Sequence, residues 1–131
     1  MRVLALDHGV ARTGVAVSDV TGSIVRPLTV VRRVDSRDGF EELLRVVRAE
    51  DPSLVVVGLP VSLDGSEHGQ ARRARAFAAR LASIIDAPVE LYDERFTSKL
   101  ADQRGGSAPS DARAAATLLE DYLRKMDGSA S

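Results

Sequence analysis

The chain has 131 residues, of which 44% are hydrophobic and 28% charged, the balance typical of one soluble globular domain. It contains no cysteine, which excludes disulfides and metal–thiolate sites. The sequence contains no run of about 18 apolar residues, so no membrane span is predicted. Its first residues are typical of a strand and not of a signal peptide, so nothing indicates export. We therefore expect a cytoplasmic protein with one domain over residues 1–126 and a flexible tail over 127–131.

The charge pattern is more informative than the net charge of −1. Only Lys99 and Lys125 among the 18 basic residues are lysines, and the rest are arginines. Arginine favours planar, bidentate contacts with phosphate or carboxylate. A GC-rich genome produces the same bias, so it is weak support for a nucleic-acid partner.

The first third of the chain carries three β signals, Arg2–Leu6, Thr13–Ser18 and Ile24–Val31. The segments between them are short, and connections of this length join antiparallel neighbours. We therefore predict a three-stranded meander. Pro27 lies inside the third signal and cannot donate a ladder hydrogen bond, so that strand is an edge or Pro27 lies at a bulge.

The rest of the chain alternates helices with strands. In chain order we predict a helix at Ser36–Glu50, a strand at Leu54–Val57, a helix at about Glu67–Ile85, a strand at Val89–Tyr92, a helix capped by Thr97 or Ser98, a loop at Gly105–Pro109, and a last helix capped by Ser110 or Asp111 and ending near Met126. Strands that alternate with helices are parallel and covered by helices. The predicted fold is α/β, a mixed five-stranded sheet with an antiparallel meander, parallel α/β units and helices on both faces.

Acidic residues follow several of the predicted strands. Asp7 ends the first strand, Asp64 lies in the loop after the fourth, and Asp93 and Glu94 end the fifth. Asp111 opens the last helix and could reach the same edge, where open α/β sheets bind ligands. Side chains alternate along a strand, so only one of Asp93 and Glu94 can join Asp7, and the alternation alone does not say which.

If Asp7, Glu94 and Asp111 converge, the three carboxylates cannot all stay ionised without a cation. Oxygen-only ligands favour Mg²⁺ or Mn²⁺, and two such ions about 4 Å apart would support phosphodiester hydrolysis. The alternatives are structural. Asp7 and Gly9 would form a hairpin turn, Glu94 would pair with Arg95 on the surface, and Asp111 would only cap its helix.

Five arginines are candidates for contact with a nucleic-acid backbone. Arg12 and Arg95 flank the acidic segments, and Arg72, Arg73 and Arg80 lie on the outer side of the long helix. Arg73 and Arg80 are seven positions apart, which places them on one face of the helix. The alternative is a solvated helix surface. Aromatic residues make up only 4% of the chain, so base stacking is not expected to carry the binding.

Several short motifs follow one another in a specific order. They are Asp7-His8-Gly9, Gly14-Val15-Ala16-Val17-Ser18-Asp19, Arg26-Pro27-Leu28, Val57-Gly58-Leu59-Pro60, Asp64-Gly65, Asp93-Glu94-Arg95 with Thr97-Ser98, and Asp111 with Ala114-Ala115-Ala116 and Leu118-Leu119. In this order, over residues 1 to about 124, the chain resembles the YqgF/RuvX group of bacterial RNase H-like proteins. Members of that group are described as Holliday junction resolvases and as pre-16S ribosomal RNA nucleases.

The resemblance implies an RNase H-like fold whose catalytic and metal-binding acids are Asp7, Glu94 and Asp111, which selects Glu94 over Asp93. It also implies cleavage of structured nucleic acid that depends on Mg²⁺ or Mn²⁺. We expect 5′-end processing of pre-16S ribosomal RNA, in ribosome biogenesis, with cleavage of DNA four-way junctions as the alternative. A resolvase needs two sites and hence a homodimer, whereas a monomer would suit RNA processing.

Two features depart from the family pattern. The segment between Glu94 and Asp111 is shorter than usual and carries few basic residues, which beyond Arg95 are Lys99 and Arg104. His8 stands where an aromatic or aliphatic residue is more common. We expect His8 to pack in the core, although a histidine beside a metal ligand can also tune that ligand.

Two other classes of function are consistent with the sequence. The short segment suits a non-catalytic module that binds nucleic acid or protein and retains the fold. The motif Asp-x-Gly followed by Thr-Gly-Val-Ala-Val resembles the first phosphate motif of sugar-kinase-like and actin-like ATPases. Those proteins close two such domains over ATP, and this chain carries one.

Overall fold

The computed structural model describes residues 1–94 and 111–130. The strands are β1 (Val3–Asp7), β2 (Arg12–Ser18), β3 (Val25–Arg32), β4 (Leu54–Leu59) and β5 (Val89–Asp93). The helices are α1 (Arg37–Glu50), α2 (Gly69–Ala82) and α3 (Ala112–Ala130). None of the helices in these two ranges is long and apolar enough to cross a membrane.

The five strands form one mixed sheet in the order β3-β2-β1-β4-β5. β1, β2 and β3 pair antiparallel, whereas β4 is parallel to both β1 and β5. This confirms the predicted meander and parallel units. Both alternatives for Pro27 hold, because β3 is an edge strand and its register slips at Leu28, directly after the proline.

The sheet is covered on both faces, as predicted. α1 and α2 pack on the face that carries Leu4 and Leu6 of β1, and α3 packs on the face that carries Val3 and Ala5. Because side chains alternate along a strand, the odd-numbered residues of β1 point toward α3. Asp7, the last residue of β1, therefore lies on the α3 face at the carboxyl edge of the sheet.

Three observed helix ends differ from the predicted ends by two residues or more. α2 begins at Gly69, because Glu67 lies in the preceding loop and binds Arg75 through two hydrogen bonds of 2.7 Å. It ends at Ala82, where the Ser83 hydroxyl donates to a carbonyl of the last turn. α3 continues to Ala130, beyond the predicted end at Met126. The predicted helix after Thr97 or Ser98 and the predicted loop at Gly105–Pro109 lie outside the described residues.

The start of α3 lies directly against the backbone of β2. A Cβ atom built on Gly14 would be 1.9 Å from the carbonyl oxygen of Asp111 and 3.0 Å from the nitrogen of Ala112. Both are backbone atoms, which cannot move aside without shifting the helix. The hydrogen atom that glycine carries in place of a side chain is thus what allows α3 to begin at this point.

We expect Gly14→Ala to lower the free energy of unfolding by about 2 kcal/mol or more, because the added methyl group forces α3 away from the sheet. Urea denaturation would measure the change. Gly69→Ala is the matched control, since a Cβ there meets only the end of the Arg73 side chain, at 3.5 Å. Equal stability of the two variants would show that the start of α3 is not tightly held.

Candidate active site

Asp7 and Glu94 come together at the carboxyl edge of the sheet. Asp7 ends β1, Glu94 directly follows β5, and β4 lies between these two strands. The side chains of the two residues are hydrogen-bonded to each other. Two carboxyl groups can form such a bond only if one of them carries a proton. The predicted meeting of carboxylates at this edge therefore exists as a proton-sharing pair.

The contacts of β5 show why Glu94, and not Asp93, faces Asp7. The Tyr122 hydroxyl of α3 donates to a Glu90 oxygen at 2.6 Å, and the rings of Tyr122 and Tyr92 meet edge to face at 5.6 Å. The even-numbered side chains of β5 thus point toward α3, and Glu94 continues that series. The parity that the sequence left open is resolved by the helix that covers this face.

Gly58 of β4 makes room for the Glu94 carboxyl group. A Cβ atom on Gly58 would lie 3.0 Å from both Cδ and Oε1 of Glu94, and 3.1 Å from a methyl group of Leu118. In the sequence, Gly58 is part of the motif Val57-Gly58-Leu59-Pro60 but has no predicted role at the site. Its even number, which places it on the α3 face with Leu54 and Val56, is the signal that could have identified it.

The surroundings strongly favour the protonated form of Glu94. Loss of hydration, together with the Asp7 carboxylate beside it and the charge of Asp93, raises the pKa of Glu94 to about 8 from its ordinary value of 4.5. Near neutral pH, the pair of Asp7 and Glu94 therefore holds a proton. A shift of this size at the edge where α/β sheets bind ligands is typical of a functional site.

Asp111 lies beside this pair, but its side chain serves the helix. Gly14 pairs with Asp7 in the sheet and contacts the Asp111 backbone, so Asp111 is one strand away from Asp7. Its Oδ1 accepts a hydrogen bond of 2.8 Å from the amide of Ala114, the N-cap that the structural alternative predicted. Within residues 1–94 and 111–130, no three His, Cys, Asp or Glu side chains cluster closely enough to hold a metal ion. Two of the three predicted ligands are together, and the third is adjacent.

The donor set suits a hard divalent cation. Asp7 and Glu94 offer only oxygen atoms, which Mg²⁺ and Mn²⁺ prefer. The proton that the pair holds occupies the position where positive charge relieves the repulsion between the carboxylates. The residues present therefore fit the metal that the fold implies, with the second oxygen of Asp111 as the remaining predicted donor.

His8 packs in the core, as expected, on the face opposite to Asp7. Its buried ring lies 4.9 Å from the Phe77 ring of α2, and Nε2 is 3.1 Å from both oxygens of Asp35. These contacts join the end of β1 to the segment before α1. His8 thus anchors the backbone next to Asp7 from the other side of the sheet.

Asp64 does not join the pair. It lies on the surface, where the amide and hydroxyl of Ser66 donate to its Oδ1 at 2.9 Å and 2.6 Å. These hydrogen bonds lower the pKa of Asp64. Its role is to hold the turn between β4 and α2.

The candidate arginines occupy both faces of the sheet. Arg12 begins β2 on the α3 face, whereas Arg72, Arg73 and Arg80 lie on α2, which packs on the opposite face. The guanidinium carbon of Arg80 sits 3.8 Å above the Phe40 ring, an intramolecular cation–π contact. The structure thus places Arg12 with the acids and the α2 arginines away from them. Arg95 lies outside the described residues.

The comparisons with known proteins identify the family. A sequence model of the RuvX family, described as Holliday junction resolvase, matches residues 1–125. The chain belongs to the RuvX family. A relative from Anaeromyxobacter sp. (strain Fw109-5) is 42% identical over 94% of this chain and 96% of its own length. Another, from Chloroflexus aurantiacus, is 38% identical over 92% of this chain and 85% of its own. Both carry the name "Putative pre-16S rRNA nuclease".

Solved structures share the fold of this RuvX-family chain. Thermus thermophilus RuvC, solved in complex with a Holliday junction substrate, aligns with a TM-score of 0.65 at 18% identity, over 98% of this chain and 97% of its own. The Fowlpox virus resolvase aligns with a TM-score of 0.62 at 10% identity, over 96% of this chain and 99% of its own. These matches confirm the RNase H-like architecture.

We expect the stability of the metal-free protein to fall as the pH rises from about 4.5 to 8. Folded Glu94 keeps a proton over this range, and the unfolded chain releases it. At about 1.4 kcal/mol per pKa unit, the loss is on the order of a few kcal/mol. Glu94→Gln cannot titrate, so its unfolding free energy should lack this decline and exceed that of the wild type at pH 9.

Urea denaturation in EDTA at pH 5, 7 and 9 would measure the effect. Glu42→Gln, at an exposed position of α1, is the matched control and should keep the decline of the wild type. A Glu94→Gln profile parallel to that of the wild type would show that Glu94 does not share a proton with Asp7.

Proposed function

We propose that this RuvX-family chain is a metal-dependent nuclease that hydrolyses phosphodiester bonds in structured nucleic acid. The observation that carries the proposal is the proton-sharing pair of Asp7 and Glu94 at the carboxyl edge of an RNase H-like sheet. Two carboxyl groups in contact repel each other when both are ionised, and a divalent cation removes that cost. Family membership and the names of the relatives support the same activity.

The residues around the pair have separate tasks in such a reaction. Asp7 and Glu94 would hold the cation, with Asp111 as a further ligand at the start of α3. When bound, Mg²⁺ or Mn²⁺ activates water and stabilises the leaving oxygen. Gly58 lets the Glu94 carboxyl group lie against β4, and Gly14 brings Asp111 within reach of the same face. The chain's own contribution is thus to hold oxygen ligands in position beside a phosphodiester bond.

The substrate that we propose is the 5′ region of pre-16S ribosomal RNA. Relatives 38% and 42% identical over nearly the whole chain are named as pre-16S rRNA nucleases. The protein would then act in ribosome biogenesis, in the cytoplasm. A monomer is sufficient for this reaction, since each cut involves one strand.

The second candidate is resolution of DNA four-way junctions. The description of the matching family as Holliday junction resolvase favours it. Symmetric cuts in two strands need two sites, so this activity requires a homodimer. The substrate and the oligomeric state therefore separate the two candidates in the same set of experiments.

We expect Asp7→Asn and Glu94→Gln each to reduce Mn²⁺-dependent cleavage by at least about 100-fold, because each removes a charged oxygen ligand from the site. Cleavage of end-labelled precursor ribosomal RNA and of a synthetic four-way junction would be measured side by side. Asp38→Asn is the matched control, since Asp38 is an exposed carboxylate in the first turn of α1.

Cleavage by Asp7→Asn at the wild-type rate would contradict the proposal. Contaminating nucleases are excluded if a chain that carries both Asp7→Asn and Glu94→Gln, purified in the same way, shows no cleavage. If no substrate is cut with Mg²⁺ or Mn²⁺ while binding persists in EDTA, the chain is a binding module that retains the fold. Cutting of the junction alone, by a dimer, would select the resolvase.

A further inference from the structure

Arg12 and Arg32 are directly opposite each other on neighbouring strands. They form the terminal pair of the β2–β3 ladder, and the pairing continues through a hydrogen bond of 3.1 Å from the Arg33 amide to the Ala11 carbonyl. Residues paired across antiparallel strands share a face. Gly14, two residues along β2 from Arg12, contacts α3, so both arginines leave the sheet on the α3 face.

The two guanidinium groups have no anionic partner in the structure as described. Both side chains are exposed, and neither forms an ion pair or a hydrogen bond with another residue of ranges 1–94 and 111–130. Like charges directly opposite each other on a sheet destabilise it. An anion between the groups would reverse that effect, and guanidinium pairs suit the geometry of a phosphate.

The arginines of α2 are arranged differently. Arg75 is held by Glu67 through two hydrogen bonds of 2.7 Å, and Arg80 lies over Phe40 with a hydrogen bond of 3.5 Å to the Asp35 carbonyl. These two of the four α2 arginines are engaged within the protein, and all four belong to a helix that covers the face away from the acids. Of the arginines described, Arg12 and Arg32 are thus both exposed, lie next to each other and are on the same face of the sheet as Asp7 and Glu94.

The pair is also close to the acids. Asp7 pairs with Gly14, and Arg12 lies two residues farther along the same strand. Strand geometry then gives Cα separations of about 8 Å from Asp7 to Arg12 and about 12 Å from Asp7 to Arg32. A phosphate bound between the guanidinium groups would lie on the same stretch of nucleic-acid backbone as the phosphodiester bond to be cleaved at Asp7 and Glu94.

We propose that Arg12 and Arg32 together bind one backbone phosphate of the nucleic-acid substrate, close to the phosphodiester bond held at the acids. This inference rests on the proposed function for the nature of the ligand, a nucleic-acid backbone. It adds Arg32, which the sequence did not indicate, as a positioning residue. We call this pair of arginines the phosphate clamp. Because the phosphate group is the same at every nucleotide, the clamp contributes affinity and register but does not distinguish base sequences.

The test is binding of a fluorescently labelled RNA stem with a 5′ single-stranded extension to the full chain carrying Asp7→Asn, in EDTA, over a series of salt concentrations. Arg12→Gln and Arg32→Gln should each weaken binding about 10-fold, and each should lower the slope of log Kd against log salt by about one. Because both arginines hold one phosphate, the double variant should lose less than the product of the two effects.

Two further variants separate a bound phosphate from general attraction. Arg45→Gln removes the same charge from an exposed position of α1, on the other face, and should leave the slope unchanged. Arg32→Lys keeps the charge but loses the planar, bidentate geometry of the guanidinium group, so it should recover part of the binding that Arg32→Gln loses. Equal losses in Arg32→Gln and Arg45→Gln would overturn the proposal, as would full additivity of the Arg12 and Arg32 effects.

Cleavage by the chain with Asp7 intact distinguishes this inference from the proposed function. We expect Arg32→Gln to raise KM about 10-fold with little change in kcat, because the residue holds substrate without touching the reacting atoms. Cleavage that needs Asp7 but is unaffected by Arg32→Gln would contradict the phosphate clamp and support the nuclease activity. Binding that depends on Arg12 and Arg32 without any cleavage would contradict the nuclease activity and support the phosphate clamp.

Discussion

The contact between the Asp7 and Glu94 carboxyl groups is the constraint on which the site depends. The two groups can be hydrogen-bonded to each other only when one of them holds a proton, and the raised pKa of Glu94 reflects that requirement. The rest of the sheet stabilises the fold through apolar layers on its two faces. The site therefore brings two acidic groups together against their mutual repulsion. Apolar packing elsewhere in the fold compensates for this cost, and a proton or a divalent cation at the pair reduces it.

Two glycines allow the acids to lie so close to the sheet. Gly14 lets the start of α3, with Asp111, lie against β2, and Gly58 leaves the space beside β4 that the Glu94 carboxyl group occupies. In both cases the space comes from a missing side chain on the α3 face. His8 holds the same edge from the opposite face through Phe77 and Asp35.

Much of the fold follows from the spacing of apolar residues. Short turns between the first strands predict the meander, and the later alternation of helices with strands predicts the parallel units. The choice between Asp93 and Glu94 could not be derived in this way, because it depends on which face α3 covers. Arg32 was missed for a related reason, since its pairing with Arg12 depends on a strand register that a bulge shifts by one residue.

The most direct test of the account is the number of protons released when Mn²⁺ binds. Calorimetric titration at pH 7 in buffers of different ionisation enthalpy would count them. We predict that the wild type releases close to one proton per bound site, and that Glu94→Gln releases none. Saturable Mn²⁺ binding to the wild type without proton release would contradict the claim that the cation replaces the proton shared by Asp7 and Glu94.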